Sequence, residues 1–203
     1  MSGIKTEKKM SRESILKSIQ QNKPALVELP KIDVQLFFED IDLLDTFKGN
    51  VQLVGGKLIE LNNVENLDAE IQKLYPNANK IVAQLSESNL GNITISKETK
   101  PHSLENIDLA IIKGEIGIAE NGSVWISENQ FPVRVLPFIT NDLVLVLSKD
   151  SLCLNMHKAF EIIANRERSF GLFLSGPSKT ADIEQCLVVG AQGAMSLTVI
   201  IVN

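Results

Sequence analysis

Apolar residues recur along this chain with two different spacings, and each spacing predicts one kind of element. Spacings of three and four residues are typical of an amphipathic helix. Short apolar runs bounded by Gly, Pro or polar residues are typical of strands. Helices are predicted over 10–19, 37–54, 66–75 and 154–166, and in a stretch that begins after Thr180. Strands are predicted over 57–61, 81–83, 109–112, 123–126, 133–136, 143–147, 170–174 and 197–202.

Two of the predicted strands are apolar at nearly every position. Leu143–Leu147 and Leu197–Val202 have the composition of central parallel strands that are buried on both faces. Strands that alternate with helices indicate an α/β fold. We therefore predict a three-layer α/β/α sandwich with a mainly parallel sheet. Residues 10–203 are expected to form a single domain, in which 85–105 is a polar surface excursion, and the charged residues 1–9 are expected to be a flexible leader.

Composition excludes several classes of function. A chain of 203 residues with 44% hydrophobic residues is long enough to build one full core. A net charge of −5 and 5% aromatic residues argue against a nucleic-acid partner. The apolar runs have the length of strands, so no membrane span is expected. The amino terminus lacks a signal-peptide pattern, so the cytoplasm is the expected compartment. Cys153 and Cys186 lack CxxC spacing, so no metal or iron–sulfur cluster is expected in this chain.

One loop is unusually rich in hydroxyl side chains, and we call residues 175–180 the hydroxyl loop. It follows a predicted strand and precedes a predicted helix, which is where open α/β sheets bind ligands. Two interpretations stay open: Ser178 or Thr180 caps the helix, with the following acids in its first turn, or the loop contacts a ligand. The candidate binding residues here are Ser175, Gly176, Pro177, Ser178, Lys179, Thr180, Asp182 and Glu184.

A second candidate segment is the Gly-rich stretch 114–123. Its Asn121-Gly122 pair is a strong hairpin signal, and the simplest interpretation is a turn that carries a solvated Glu120. The alternative interpretation is that Glu120 has a chemical role.

Together these segments resemble the LUD domain family, in its lactate utilization protein C type. The resemblance extends over about 10–203. It rests most firmly on the run from Ser175 to Glu184, with Ile118–Ser123 as a Glu-x-Gly-Ser motif, Met10–Leu16 as the opening and Gly55-Gly56 as a helix end.

The resemblance implies a fold similar to the NagB/RpiA/CoA-transferase-like sandwich. It also implies a cytoplasmic protein that works beside iron–sulfur subunits which oxidise L-lactate to pyruvate, with clusters only in those partners. The chain's own chemical role is open. The sequence departs from the family where Gly190-Ala191-Gln192-Gly193-Ala194 replaces a frequent Gly-x-His-Gly-Pro, and where Thr140-Asn141-Asp142 stands near a position that often holds His.

Two other functions compete with this one. Glu120-Asn121-Gly122 resembles the motif of family I CoA-transferases, which implies Glu120 as the nucleophile toward an acyl-CoA. Backbone N–H groups near Gly122 and Ser123 would then stabilise the oxyanion, and the hydroxyl loop would hold the substrate carboxylate. The third function is a regulatory module that binds a small carboxylate without converting it.

Overall fold

The computed structural model describes residues 11–28, 30, 33–167, 170–183 and 186–203. The chain divides into two units, Met1–Asp33 and Val34–Asn203. The first unit contains helix α1 (Arg12–Gln21), whose N-cap Ser11 accepts a hydrogen bond from the Ser14 N–H at 3.3 Å. This confirms the helix predicted near the amino terminus, whereas the predicted leader lies outside the described residues.

The second unit contains the remaining elements. Its helices are α2 (Leu43–Leu53), α3 (Leu67–Leu74), α4 (Leu136–Ile139) and α5 (Met156–Ala164). Its strands are β1 (Lys57–Leu61), β2 (Ile81–Gln84), β3 (Leu109–Lys113), β4 (Ile116–Ile118), β5 (Ser123–Ser127), β6 (Asp142–Ser148), β7 (Leu152–Cys153), β8 (Gly171–Leu174), β9 (Lys179–Ile183), β10 (Cys186–Val189) and β11 (Ser196–Val202).

A five-stranded sheet in the order β1-β11-β6-β3-β2 forms the centre, and all its described pairs are parallel. The nearly continuous apolar strands β6 and β11 lie next to each other inside it, as their sequences predict. One face is covered by α3 through Leu67 and Ile71. The other face is covered by α2 through Phe47 and Val51. The predicted α/β class with a mainly parallel sheet is confirmed.

A second sheet lies on the same side as α2, in the order β7-β4-β5-β8. Val124 and Ile126 of β5 belong to the core that this sheet shares with the central sheet. Its outer face packs on α5 through Ala159 and Ile163. Every residue of β4 and β5 is buried, because this sheet has a packing partner on each of its two faces.

Three local predictions are wrong. The helix predicted from Phe37 begins only at Leu43, after a 3₁₀ turn at Val34–Phe37. The segment 133–136 is not a strand, since 133–135 is a loop and Leu136 begins α4, where Pro137 favours the first turn of a helix. The helix predicted after Thr180 is instead β9, which pairs antiparallel with β10. This stretch of the sequence is rich in β-branched residues, which favour the extended backbone.

Candidate functional site

The turn that carries Glu120 is a hairpin between β4 and β5, as its Asn-Gly pair predicts. Gly122 has a φ of +65°, and a Cβ atom there would lie 2.6 Å from the backbone nitrogen of Val51. The turn therefore packs directly on the backbone of α2. Asn50 of α2 reinforces this contact, because its Nδ2 donates to the carbonyl oxygens of Ala119 at 2.7 Å and Glu120 at 3.2 Å.

Ser123 takes part in the turn itself. Its Oγ donates to Asn121 Oδ1 at 2.6 Å, and its backbone N–H donates to the same atom at 3.0 Å. The residue is 2% exposed. The Ser123 N–H, which the sequence predicts as a donor to an oxyanion, thus already donates to a side chain within the turn.

The carboxylate of Glu120 lies at the amino end of α5. Its Oε2 accepts a hydrogen bond from the Met156 N–H at 2.8 Å, where the helix dipole favours a negative charge. Burial of the neighbouring Cys153, together with the charge of Glu120, raises the pKa of that thiol to about 11. Glu120 is exposed, and in this structure its carboxylate accepts a backbone N–H of the first turn of α5.

The hydroxyl loop follows β8, includes the first two residues of β9 and packs on the C-terminal end of α2. Gly176 has a φ of +71°, and a Cβ atom there would collide with the carbonyl oxygen of Val54. The Lys179 ammonium donates a hydrogen bond to this same carbonyl. Ser175 Oγ donates to the carbonyl of Asn121 at 3.0 Å. The structure thus brings the two candidate segments of the sequence together at one helix.

A cavity of about 300 Å³ lies under the hydroxyl loop. Part of its wall is the loop itself, from Ser175 to Thr180, and another part is the segment Gln192–Ala194. The remaining lining residues are all apolar, namely Pro137, Phe138, Leu143, Phe173, Leu174 and Leu197.

Two backbone hydrogen bonds join the hydroxyl loop to the segment 190–194. The Ser178 N–H donates to the Ala194 carbonyl at 2.9 Å, and the Ser178 carbonyl accepts from the Gly190 N–H at 3.0 Å. Sequence reasoning identified 190–194 as a departure from the family and did not predict Gln192 or Phe138 as site residues. The sequence signal that points to these segments is the pair of departures from the family, at 140–142 and at 190–194. Both lie in or near segments that line this cavity.

The cavity lies at an unexpected end of the central sheet. Leu143 and Leu197, which line it, stand near the amino ends of β6 and β11. The sequence predicted the loop at the carboxyl end of a strand that belongs to the parallel sheet. It does follow the carboxyl end of a strand, but that strand is β8 of the second sheet. This part of the prediction is wrong because strand partners are not visible in the sequence.

Two further candidates add nothing to the described cavity. Asp182 belongs to β9, but its side chain lies outside the described part of the structure, as does all of Glu184.

Within the described ranges, no group of three or more His, Cys, Asp or Glu side chains is placed to hold a metal ion. The described helices include none that is both long and apolar enough to cross a membrane.

Comparison with known proteins gives the family. The family model of the LUD domain matches residues 95–202. The chain belongs to the LUD domain family. This confirms the resemblance drawn from the run Ser175–Glu184 and the motif at 118–123.

Proteins named lactate utilization protein C are among the relatives of this LUD domain. The protein from Anoxybacillus flavithermus is 30% identical over 100 residues, which cover 49% of this chain and 46% of the relative. The protein from Oceanobacillus iheyensis is 26% identical over 152 residues, which cover 72% and 63%. An uncharacterised protein from Neisseria meningitidis is 27% identical over 124 residues, which cover 58% and 53%. The chain therefore covers less than two thirds of the length of these relatives.

A solved structure shares the fold. The crystal structure of a DUF162 family protein from Deinococcus radiodurans matches with a TM-score of 0.61 and 17% identity. The match covers 79% of this chain and 96% of that one.

Proposed function

We propose that this LUD domain takes part in lactate utilization and that the cavity under the hydroxyl loop binds a small carboxylate of the lactate or pyruvate type. The names of the relatives support the process. The observation that carries the ligand site is that the hydroxyl loop and Gln192 line one cavity together with apolar side chains. A few polar groups that converge over apolar walls are typical of small-ligand sites.

The polar groups of the cavity suit a carboxylate. Lys179 contributes a positive charge, and its ammonium has three donors, of which the Val54 carbonyl accepts one. The hydroxyl groups of Ser178 and Thr180 and the amide of Gln192 are further donors in the walls. A 2-hydroxy or 2-oxo acid also has, on the carbon next to its carboxylate, a hydroxyl or keto oxygen that an amide can recognise. The methyl group of such an acid fits against the apolar side of the cavity.

The size of the cavity limits the ligand. A volume of about 300 Å³ lies at the lower end of the roughly 300–1,000 Å³ found for ligand pockets. This space suits a small acid better than a large redox cofactor. In the proposed system, separate iron–sulfur subunits in the cytoplasm hold the redox centres, and this chain binds the acid or its product beside them.

A CoA-transferase-like activity is the second candidate. The contact between Ser175 Oγ and the Asn121 carbonyl favours it, because this contact places the turn of Glu120 next to the hydroxyl loop. The hydrogen bond that Glu120 accepts from the Met156 N–H at the start of α5 argues for a structural function instead. The variant Glu120→Gln separates the two, since CoA transfer from an acyl-CoA must disappear if this carboxylate is the nucleophile.

The test of the proposed process is an affinity purification from the native cells grown on L-lactate. We expect iron–sulfur proteins to co-purify with the tagged chain and the eluate to reduce a dye when L-lactate is added. A chain that elutes alone and without this activity would contradict the assignment to a lactate-oxidising system. If the cavity then still binds L-lactate or pyruvate, the regulatory module becomes the better description.

A further inference from the structure

A second cleft, distinct from the cavity under the hydroxyl loop, lies between α5, β7 and the start of α2. Its volume is about 500 Å³, well inside the range of small-molecule sites. The apolar lining residues are Phe37, Phe38, Leu43, Leu152, Leu154 and Ile162. The polar lining residues are Gln35, Asn155, Lys158 and Glu161, and Cys153 completes the wall.

The aromatic wall of this cleft is held in place by α5. Asn155, the N-cap of that helix, donates from Nδ2 to the carbonyl oxygen of Phe37 at 3.0 Å. The ring of Phe37 stacks on His157 with a centroid distance of 4.6 Å and an interplanar angle of 23°. The wall is therefore formed before any ligand arrives, which lowers the entropy lost on binding.

The interior of the cleft carries no described charge. Burial raises the pKa of the Cys153 thiol to about 11, so near pH 7 the group is neutral and behaves as a small apolar side chain. The charged lining residues are Lys158 and Glu161, which pair at 3.0 Å. Their side chains are 60% and 44% exposed, so this ion pair contributes little. Lys158 is therefore able to exchange Glu161 for the carboxylate of a ligand.

Phe38 leaves an apolar surface in water at the edge of the cleft. It is 70% exposed, and a ligand that covers it removes apolar area from water. A ligand that matches these features needs an aliphatic body for the interior and one negative group for Lys158.

We propose that this cleft binds an amphiphilic carboxylate of medium chain length, with the aliphatic chain against Phe38 and Ile162 and the carboxylate at Lys158. This site is separate from the one in the proposed function, and neither proposal depends on the other.

Decanoate, kept below its micelle concentration, is the probe that tests this proposal. We expect calorimetry to show saturable binding at least tenfold tighter than that of butyrate, because only the longer chain fills the cleft. Methyl signals of Leu152 and Ile162 in the NMR spectrum should shift on titration. The uncharged decanol should bind more weakly than decanoate, and Lys158→Ala should remove that difference.

Two variants serve as a matched pair. Phe38→Ala should weaken decanoate binding about tenfold, whereas Leu36→Ala should leave it unchanged. Leu36 is 78% exposed and belongs to the same 3₁₀ turn region, but it is outside the lining of the cleft. Both residues are on the surface, so both variants should fold.

Three results would overturn the proposal. The first is that decanoate does not bind, or binds no tighter than butyrate. The second is equal affinity of the Phe38→Ala and Leu36→Ala variants, which would show that the chain lies elsewhere. The third is loss of decanoate binding in Gln192→Ala with Phe38→Ala unaffected, which would assign the molecule to the cavity under the hydroxyl loop.

Discussion

The Lys179 ammonium donates a hydrogen bond to the backbone carbonyl of Val54, the C-cap residue of α2. A positive charge at this position is favourable because carbonyl groups without helical partners collect at the C-terminal end of a helix. The contact ties the hydroxyl loop to the helix whose Asn50 also holds the Glu120 turn. Helix α2 is thus the common support of both candidate segments.

Removal of this contact should destabilise the fold moderately. For Lys179→Met we expect the free energy of unfolding to fall by about 1 kcal/mol, since the hydrogen bond is charge-assisted but the side chain is exposed. The melting temperature should then drop by about 2–4 °C, measured by thermal denaturation. Lys179→Arg keeps the charge and should recover part of the loss. Equal stability of Lys179→Met and the wild type would show that the contact contributes nothing.

Gly176 and Gly49 should respond to alanine in opposite directions. Gly176 has a positive φ, and a Cβ atom there meets the Val54 carbonyl, so Gly176→Ala should cost about 2 kcal/mol. Gly49 lies inside α2, and a Cβ atom added there would have nothing within 4 Å, so Gly49→Ala should stabilise by about 0.5–1 kcal/mol. Denaturant unfolding of both variants measures this. No loss of stability in Gly176→Ala would contradict the packing of the loop on α2, whereas a loss in Gly49→Ala would contradict the open space beside Gly49.

Local patterns in the sequence predict most of the central elements. The apolar runs at 143–147 and 197–202 identify the middle strands of the sheet, and Asn121-Gly122 identifies the β4–β5 turn. These features depend only on neighbouring residues, which is why the sequence reveals them.

The cavity depends on contacts between distant residues, and these the sequence does not reveal. Gln192 meets the hydroxyl loop because Ser178, in that loop, forms backbone hydrogen bonds with both Gly190 and Ala194. The wrongly predicted helix has a local cause. Thr180 followed by Asp182 imitates the cap and acidic first turn of a helix, whereas the structure has pairing between β9 and β10.

Cys153 should make stability depend on pH in the alkaline range. Burial first, and the charge of Glu120 second, raise the pKa of its thiol from 9.0 to about 11. The unfolded chain loses this proton from about pH 9 and the folded chain only near pH 11, so the contribution is complete below pH 9 and is lost between these values. The loss amounts to roughly 2–3 kcal/mol.

The variant Cys153→Ala isolates this contribution. We expect the difference in unfolding free energy between wild type and variant to stay constant from pH 6 to 8 and then to shrink toward pH 11. Denaturant unfolding at each pH provides the measurement. A difference that does not change with pH would contradict a buried, neutral thiol at this position.

Glu120→Gln should affect both α5 and Cys153. The amide oxygen can still accept the Met156 N–H, but the negative charge at the helix end is lost, which should cost about 0.5–1 kcal/mol. The pKa of Cys153 should fall while staying above its ordinary value, because burial is the larger cause. Thiolate absorbance, titrated in a Cys186→Ser background, reports this pKa. An unchanged pKa would show that the charge of Glu120 does not act on the Cys153 thiol.

The most direct test of the carboxylate site is a calorimetric titration of the wild-type chain and the Gln192→Ala variant with L-lactate and with pyruvate. Gln192 is exposed, so its replacement should change stability by less than about 0.5 kcal/mol. Leu53→Ala is the control, since Leu53 is 82% exposed and does not line the cavity. We predict saturable binding of at least one acid to the wild type and the control, and at least tenfold weaker binding to Gln192→Ala. No saturable heat with either acid, or equal affinity in all three proteins, would contradict a carboxylate site under the hydroxyl loop.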